Sequence, residues 1–117
     1  VFKNSKITQA TPMVVSFEIN GNQFMGLNGG PQFKFNEAIS FVVSCETQEE
    51  IDYHWESLIA DGGNESMCGW LKDKFGVSWQ IVPSNLGSLM SDPERGARAM
   101  QALLKMKKLD LKKLSEA

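Results

Sequence analysis

The sequence predicts a mixed α+β fold, and three kinds of pattern indicate it. Short segments in which apolar residues alternate with other residues are typical of β-strands. Glycine-containing turns between neighbouring strand segments indicate hairpins. Capping boxes, in which a Ser or Thr hydroxyl and a Glu three residues later satisfy free backbone amides, mark two helix starts. With 117 residues, the chain is long enough for one domain around one hydrophobic core.

A β-hairpin is predicted over residues 13–28. Its first half alternates with a period of two, as a strand with two different faces does. Asn20-Gly21 follows, a dipeptide that tolerates the positive φ angles of a type I′ turn. This turn places Phe17 opposite Phe24 of the returning strand.

A further strand and the first helix come next. Residues 38–45 form a short segment rich in β-forming residues, which predicts a strand. Thr47 and Glu50 form a capping box at the start of a helix, and Gly62-Gly63 ends that helix. Its apolar stripe is expected to consist of Ile51, Trp55, Leu58 and Ile59.

The segment CGWLKDKFGVSWQIVP, which starts at Cys68, predicts a second hairpin. We expect residues 72–76 to form its turn. Trp70 then lies opposite Ser78. Cys68 lies opposite Gln80 in the same way, and all four side chains share one face because directly paired residues point to the same side of a sheet.

The C-terminal part of the chain is predicted to be helical. Residues 91–94 (SDPE) form a second capping box, with a proline near the helix start. Asp110 is expected to cap a short final turn. The apolar stripe of the longer helix would consist of Ala97, Met100, Leu103 and Leu104.

The composition argues against nucleic-acid and membrane partners. The net charge is −2, with 42% hydrophobic and 22% charged residues, an ordinary balance for a globular protein. No apolar run approaches the roughly 20 residues that span a bilayer, and no signal-peptide pattern is present. The C-terminal lysines lack interleaved aromatic residues, which favours a solvated helix face. Cys45 and Cys68 lack a CxxC spacing and indicate reduced thiols, so we expect a cytoplasmic protein.

A short internal repeat points towards a particular family. Residues 21–27 can be laid over residues 76–82, so that glycine meets glycine and an aromatic residue meets an aromatic residue. The segments NGGPQFKFNEAISFVVSC, CGWLKDKFGVSWQIVP and MKKLDL, together with the helix around Trp55, resemble the PhnB-like branch of the vicinal oxygen chelate (glyoxalase/bleomycin-resistance) superfamily. Many members of this branch carry the label 3-demethylubiquinone-9 3-methyltransferase-like.

The resemblance covers almost the whole chain and implies paired βαβββ modules. Their curled mixed sheets would form a cup, commonly within a homodimer. The first module would be incomplete, because a strand and a helix are expected before Val1 and additional residues between Ile7 and Met13. The implied divisions of a single domain are the rest of the first module (1–36), the second module (37–83) and the C-terminal helices (84–117).

Metal-using members of the superfamily hold a divalent ion with His and Glu side chains. By position, the resemblance puts Ala38, Gln80 and Met25 at three of these places, and the fourth would lie in the absent first strand. Alanine has no ligand atom, a thioether is a soft ligand, and glutamine offers one neutral oxygen. We therefore expect no metal and no other cofactor. His54 is the only histidine and is expected to pair with Glu50 on its own helix.

The cup is expected to bind a small molecule, because an aromatic wall with a few neutral polar groups is typical of ligand pockets. Gln80 and Ser40 would orient the ligand, and Trp70 would stack on it. The alternative is that Trp70 and Met25 are packed core and that Gln80 is satisfied by its neighbours. The predicted ligand-binding residues are Met25, Asn28, Ala38, Ser40, Cys68, Trp70, Ser78 and Gln80.

Two other functions remain open from the sequence. One is a metal-dependent lyase, isomerase or dioxygenase, or a transferase, whose missing ligands come from an absent segment or a partner chain. The other is a structural or regulatory module that binds a partner protein. The methyltransferase label has no support in the residues, because no glycine-rich nucleotide loop is followed by a helix. Cys68 has no basic residue placed to activate it and is expected to be inert.

Overall fold

Seven strands in two sheets and four helices make up the chain, which confirms the mixed α+β class. The computed structural model describes residues 1–117 and divides into two units, Val1–Lys34 and Phe35–Ala117. The elements are β1 (Ser5–Ala10), β2 (Val14–Ile19), β3 (Asn22–Leu27), β4 (Ser40–Cys45), α1 (Gln48–Ile59), β5 (Asn64–Glu65), β6 (Trp70–Lys72), β7 (Ser78–Pro83), α2 (Leu86–Ser91), α3 (Gly96–Leu104) and α4 (Leu111–Ser115).

The first unit is an antiparallel sheet in the order β1-β2-β3. The predicted type I′ turn is confirmed, because Asn20 and Gly21 have φ angles of 50° and 79°. Phe17 pairs with Phe24 as predicted, and their rings stack with centroids 5.4 Å apart. The side chains of this sheet are exposed or at most half-buried.

Strand β1 was not predicted from the sequence. It carries a single large apolar residue, Ile7, so the alternation that revealed β2 is absent here. The connection from β1 to β2 is tight, and in it the Thr11 amide donates to the Val14 carbonyl at 2.8 Å. Pairing with β2, rather than local sequence, therefore defines this strand.

The second unit contains a complete βαβββ module formed by β4, α1, β5, β6 and β7. Its sheet has the order β4-β7-β6-β5. Strand β4 runs parallel to β7, as a strand connected through a crossover helix does, and the other neighbours are antiparallel. Strand β7 is therefore central to the module and paired on both sides.

Helix α1 begins and packs as the sequence predicted. The Glu50 amide donates to the Thr47 hydroxyl at 3.2 Å, and the Glu50 carboxylate accepts from the Glu46 amide. Three of its predicted stripe residues are buried, and Ile59 packs against the same core from a half-buried position. The buried members of this core are Cys45, Ile51, Trp55, Leu58, Leu71 and Ile81.

The C-terminal helices differ from the prediction in their boundaries. Helix α2 was not foreseen, and α3 begins at Gly96 instead of directly after the proline. The backbone amides of Glu94 and Arg95 donate hydrogen bonds to the Asp92 carboxylate. The predicted acceptor was the Ser91 hydroxyl. A Cβ at position 96 would collide with the Met90 carbonyl oxygen, so glycine is required where α3 approaches α2.

The buried face of α3 also differs from the predicted stripe. Gly96, Ala99 and Leu103 face the core, whereas the predicted stripe residues Met100 and Leu104 are exposed. Leu103 joins a second apolar cluster with Val82, Leu109 and Leu114. The prediction for the final turn is confirmed, because the Asp110 carboxylate accepts from the Lys113 amide at 3.0 Å.

None of the four helices combines the length and the apolar character that crossing a membrane requires.

Two adjacent leucines of α3 test which face of this helix is buried. Leu103 is 9% exposed and Leu104 is 58% exposed. We expect Leu103→Ala to lower the free energy of unfolding by about 2–4 kcal/mol, because it leaves a cavity in the second cluster. Leu104→Ala is the matched control and should lower it by less than about 1 kcal/mol. Urea denaturation of both variants measures the difference, and equal losses would contradict the burial pattern.

Candidate functional site

The face of the second sheet that is opposite α1 carries the polar side chains. Cys45, Leu71 and Ile81 point to α1, so their alternating neighbours along each strand point to the other side. We call this the open face. Direct strand pairing brings Ser40, Ser78, Lys72 and Asn64 next to one another on it, one from each strand.

The predicted register of the second hairpin was wrong by two residues. Trp70 pairs with Gln80 instead of Ser78, and Lys72 pairs with Ser78 instead of lying in the turn. A shift of two residues keeps every side chain on its predicted face. Trp70, Ser78 and Gln80 therefore do share the open face, as the sequence indicated.

The Asp73 side chain explains the register. Its Oδ1 accepts hydrogen bonds from the Phe75 and Val77 amides, and its Oδ2 accepts from the Trp79 indole at 3.0 Å. Gly76 adopts a φ of 90°, which suits a residue without Cβ. The turn therefore starts one residue after Lys72, and that lysine becomes part of the strand.

A pocket of about 370 Å³ lies at the β5–β6 side of this sheet. This volume falls within the range of small-molecule sites. Two of the predicted ligand-binding residues, Trp70 and Ser78, line it. Its lining residues are Glu37, Asn64, Glu65, Ser66, Trp70, Leu71, Lys72 and Ser78.

Ser78 is the one buried polar residue of the chain, with 1% of its surface exposed. Its hydroxyl oxygen has no hydrogen-bond partner. A buried hydroxyl without a partner is unfavourable, because the bonds it makes with water in the unfolded chain are lost. Ser78 is also one of the residues that line the pocket.

Lys72 and Glu37 form an ion pair at the pocket. The hydrogen bond from Lys72 is the main reason that the pKa of the Glu37 carboxyl lies below its usual range. The two side chains are 39% and 60% exposed, so solvent screens the pair. Neither residue was among the predicted site residues. Lys72 was assigned to the turn of the hairpin and was therefore not considered. Its spacing of two from Trp70 is the signal that could have identified it.

Gln80 and Ser40 are brought together as the prediction required, but they bond to each other. The Gln80 amide nitrogen donates to the Ser40 hydroxyl oxygen at 2.9 Å. Neither residue lines the pocket. Gln80 is thus satisfied by a neighbour, which was the alternative reading for this residue.

Ala38 and Cys68 lie away from the pocket lining. Ala38 precedes β4, in a turn where its amide donates to the Asn36 side chain, so the predicted strand start was two residues too early. Cys68 has a positive φ of 61°, its amide donates to the Met106 carbonyl, and it packs against the second apolar cluster. The C-terminal segment thus holds Cys68 in place.

Met25 and Asn28 belong to the first unit. Met25 is 71% exposed and pairs with Ser16 in the sheet, so it is not packed core. Asn28 bonds across the open end of its hairpin through its amide nitrogen, which lies 3.5 Å from the Pro12 carbonyl.

The side chains present do not fit a divalent metal. No group of three or more His, Cys, Asp or Glu side chains is placed to hold an ion. His54 lies next to Glu50 as expected, with its Nδ1 2.8 Å from the Glu50 backbone oxygen. Burial, followed by the charges of Glu50 and Glu46, raises the pKa of the Cys45 thiol to about 11, so this cysteine stays protonated.

Comparison with known proteins gives a consistent family. A family profile described as 3-demethylubiquinone-9 3-methyltransferase matches residues 1–82. Among solved structures, the PhnB protein of Bacillus cereus, whose description carries the same methyltransferase name, is 33% identical with a TM-score of 0.58. That match covers 69% of this chain and 81% of the Bacillus cereus chain. No curated protein matches this chain. The likeness fits the glyoxalase-like fold that the family resemblance implied, with both sheets open.

The pKa of Glu37 tests the ion pair in the pocket. In Lys72→Gln we expect the pKa of the Glu37 carboxyl to rise towards the usual range of a glutamate, because its main hydrogen-bond donor is lost. Since the pKa is lowered in the folded protein, the pair stabilises the fold above the unfolded-state pKa. This stabilisation is lost as the pH falls through the folded-state pKa.

A carbon-13 NMR titration of the side-chain carboxyls measures this shift. The pKa of Asp92 is the internal control, since Arg95 and Glu94 amides lower it and Lys72 does not contribute. A Glu37 pKa that is the same in both proteins would show that the pair does not exist in solution.

Proposed function

We propose, from the premise that this chain belongs to the family described as 3-demethylubiquinone-9 3-methyltransferase, that its second unit binds a small molecule in the pocket beside Ser78. The proposal assigns binding and not a methyl transfer, because the sequence lacks the glycine-rich nucleotide loop of such enzymes. The homodimer implied by the family resemblance and the cytoplasmic location expected from the cysteine usage stay predictions.

The unpartnered hydroxyl of Ser78 is the observation that supports the proposal most. Buried polar groups are nearly always hydrogen-bonded, so an exception calls for an explanation, and a role in a functional site is one of them. Ser78 lies on the central strand, held by β4 and β6 on its two sides, so its position is rigid. A ligand atom in the pocket would give the hydroxyl the partner that the protein does not supply.

The rest of the lining suits a ligand with a flat or apolar part. Trp70 is half-buried, and its side chain provides one wall of the pocket. An aromatic surface next to a few fixed polar groups is the usual composition of a small-molecule site. Ser78 was among the predicted ligand-binding residues and Lys72 was not. In this proposal these two residues take the orienting role that the prediction gave to Gln80 and Ser40, which bond to each other.

Two serines that face each other across β4 and β7 provide a matched test. Ser78→Ala removes a hydroxyl without a partner, so we expect the free energy of unfolding to stay the same or rise by up to about 1 kcal/mol. Ser40→Ala removes the acceptor of the Gln80 amide and should lower it by about 0.5–1.5 kcal/mol. Ser78→Ala should nevertheless weaken the binding of fragments found by an NMR screen of the wild-type protein.

The screen uses amide chemical shifts to locate each fragment, and urea denaturation gives the stabilities. Fragments that shift the amides of Trp70 and Ser78 and bind less tightly to Ser78→Ala support the proposal. It is wrong if Ser78→Ala and Ser40→Ala lose the same stability, or if fragment affinity is unchanged by the loss of the Ser78 hydroxyl and by Trp70→Ala.

A further inference from the structure

The pocket lining contains one positively charged side chain, Lys72, and strand pairing places it beside the Ser78 hydroxyl, which has no partner. Lys72 of β6 is directly opposite Ser78 of β7. Directly paired residues of neighbouring antiparallel strands have their Cβ atoms about 5 Å apart, so a group bound by one side chain is within reach of the other. Asn64 of β5 is paired with Lys72 on the other side and adds an amide. Hydrogen-bond donors therefore stand side by side on this part of the open face.

The second carboxylate of the lining is directed to the other side of the sheet. Glu65 is paired with Leu71, which points to α1. Its Oε2 accepts a hydrogen bond from the Trp55 indole at 2.7 Å. Glu65 is thus bonded to a core residue, and Glu37 is the acidic side chain that is close to Lys72.

Glu37 already places a carboxylate on Lys72. It comes from the irregular segment between β3 and β4, and its side chain is 60% exposed. Ion pairs between exposed side chains are weak, because water and salt screen them and two flexible chains must be ordered. Glu37 does not bond to the Ser78 hydroxyl, which has no hydrogen-bond partner. A carboxylate that entered the pocket could accept from Lys72 and from Ser78 together, which Glu37 does not.

We propose that the pocket binds a small carboxylic acid with an aromatic or apolar body, and that the ligand carboxylate displaces Glu37 from Lys72. This inference rests on the proposed binding function of the pocket. Lys72 and Ser78 receive the carboxylate, and Trp70 contacts the body of the ligand. Glu37 acts as an internal competitor, which lowers the affinity for weak anions and leaves when a better carboxylate arrives.

Benzoate and benzamide form a matched pair of probes, since they have nearly the same shape and differ in charge. Binding to the wild-type protein, Glu37→Gln and Lys72→Gln is measured by NMR titration. We expect Glu37→Gln to bind benzoate about two- to fivefold more tightly, because the competing pair is lost. Lys72→Gln should bind benzoate about tenfold more weakly, because a charge-assisted hydrogen bond is lost. Benzamide affinity should change little in either variant.

Two exposed charges outside the pocket provide controls for a general electrostatic effect. Glu56→Gln and Lys107→Gln change the net charge in the same way as the two pocket variants, and both residues are exposed. Neither control should alter benzoate binding. Equal effects of Glu37→Gln and Glu56→Gln would overturn the displacement of Glu37.

The outcomes separate this inference from the proposed function. If benzoate and benzamide both shift the amides of Trp70 and Ser78 with equal affinity in all variants, the pocket binds small molecules but not carboxylates as such. If neither probe shifts these amides in the wild-type protein or in Glu37→Gln, the inference and the proposed function are both wrong for this class of molecule.

Discussion

Strand β7 is paired with β4 on one side and with β6 on the other, and this double pairing decides which side chains meet in the second unit. Its alternating residues face opposite sides of the sheet. Ile81 faces helix α1 and closes the core, whereas Ser78 faces the pocket. Because the strand is held on both edges, its backbone cannot shift at Ser78 without disturbing the packing of Ile81 on the other face. The pocket therefore inherits its rigidity from the core behind it.

The features that local chemistry controls could be predicted from the sequence. The Asn20-Gly21 turn specified the first hairpin and its register, and the Thr47 cap specified the start of α1. The faces of β7 were also predicted correctly, because a strand alternates with a period of two and the register error was an even number of residues. Only an odd error would have exchanged the two faces.

The features that depend on side-chain contacts across a turn or between elements could not be predicted. The register of the second hairpin is set by the Asp73 carboxylate, which reaches forward to the Trp79 indole. The start of α3 depends on its close approach to α2 at Gly96. For the candidate site, the sequence showed that Ser78 and Gln80 share a face, but not that Gln80 would find Ser40 while Ser78 would find no partner.

The C-terminal segment is joined to the pocket-bearing sheet by backbone bonds as well as by apolar packing. The carbonyls of Met106 and Lys107 accept from the amides of Cys68 and Gly69, immediately before β6 begins. Gln48 of α1 also bonds to the backbone around residues 109–111. A protease cut or a shortened gene product that ended ahead of Met106 would expose these amides to water and release the start of β6. The last twelve residues therefore help to hold the start of β6 in place, and we expect their removal to destabilise the sheet.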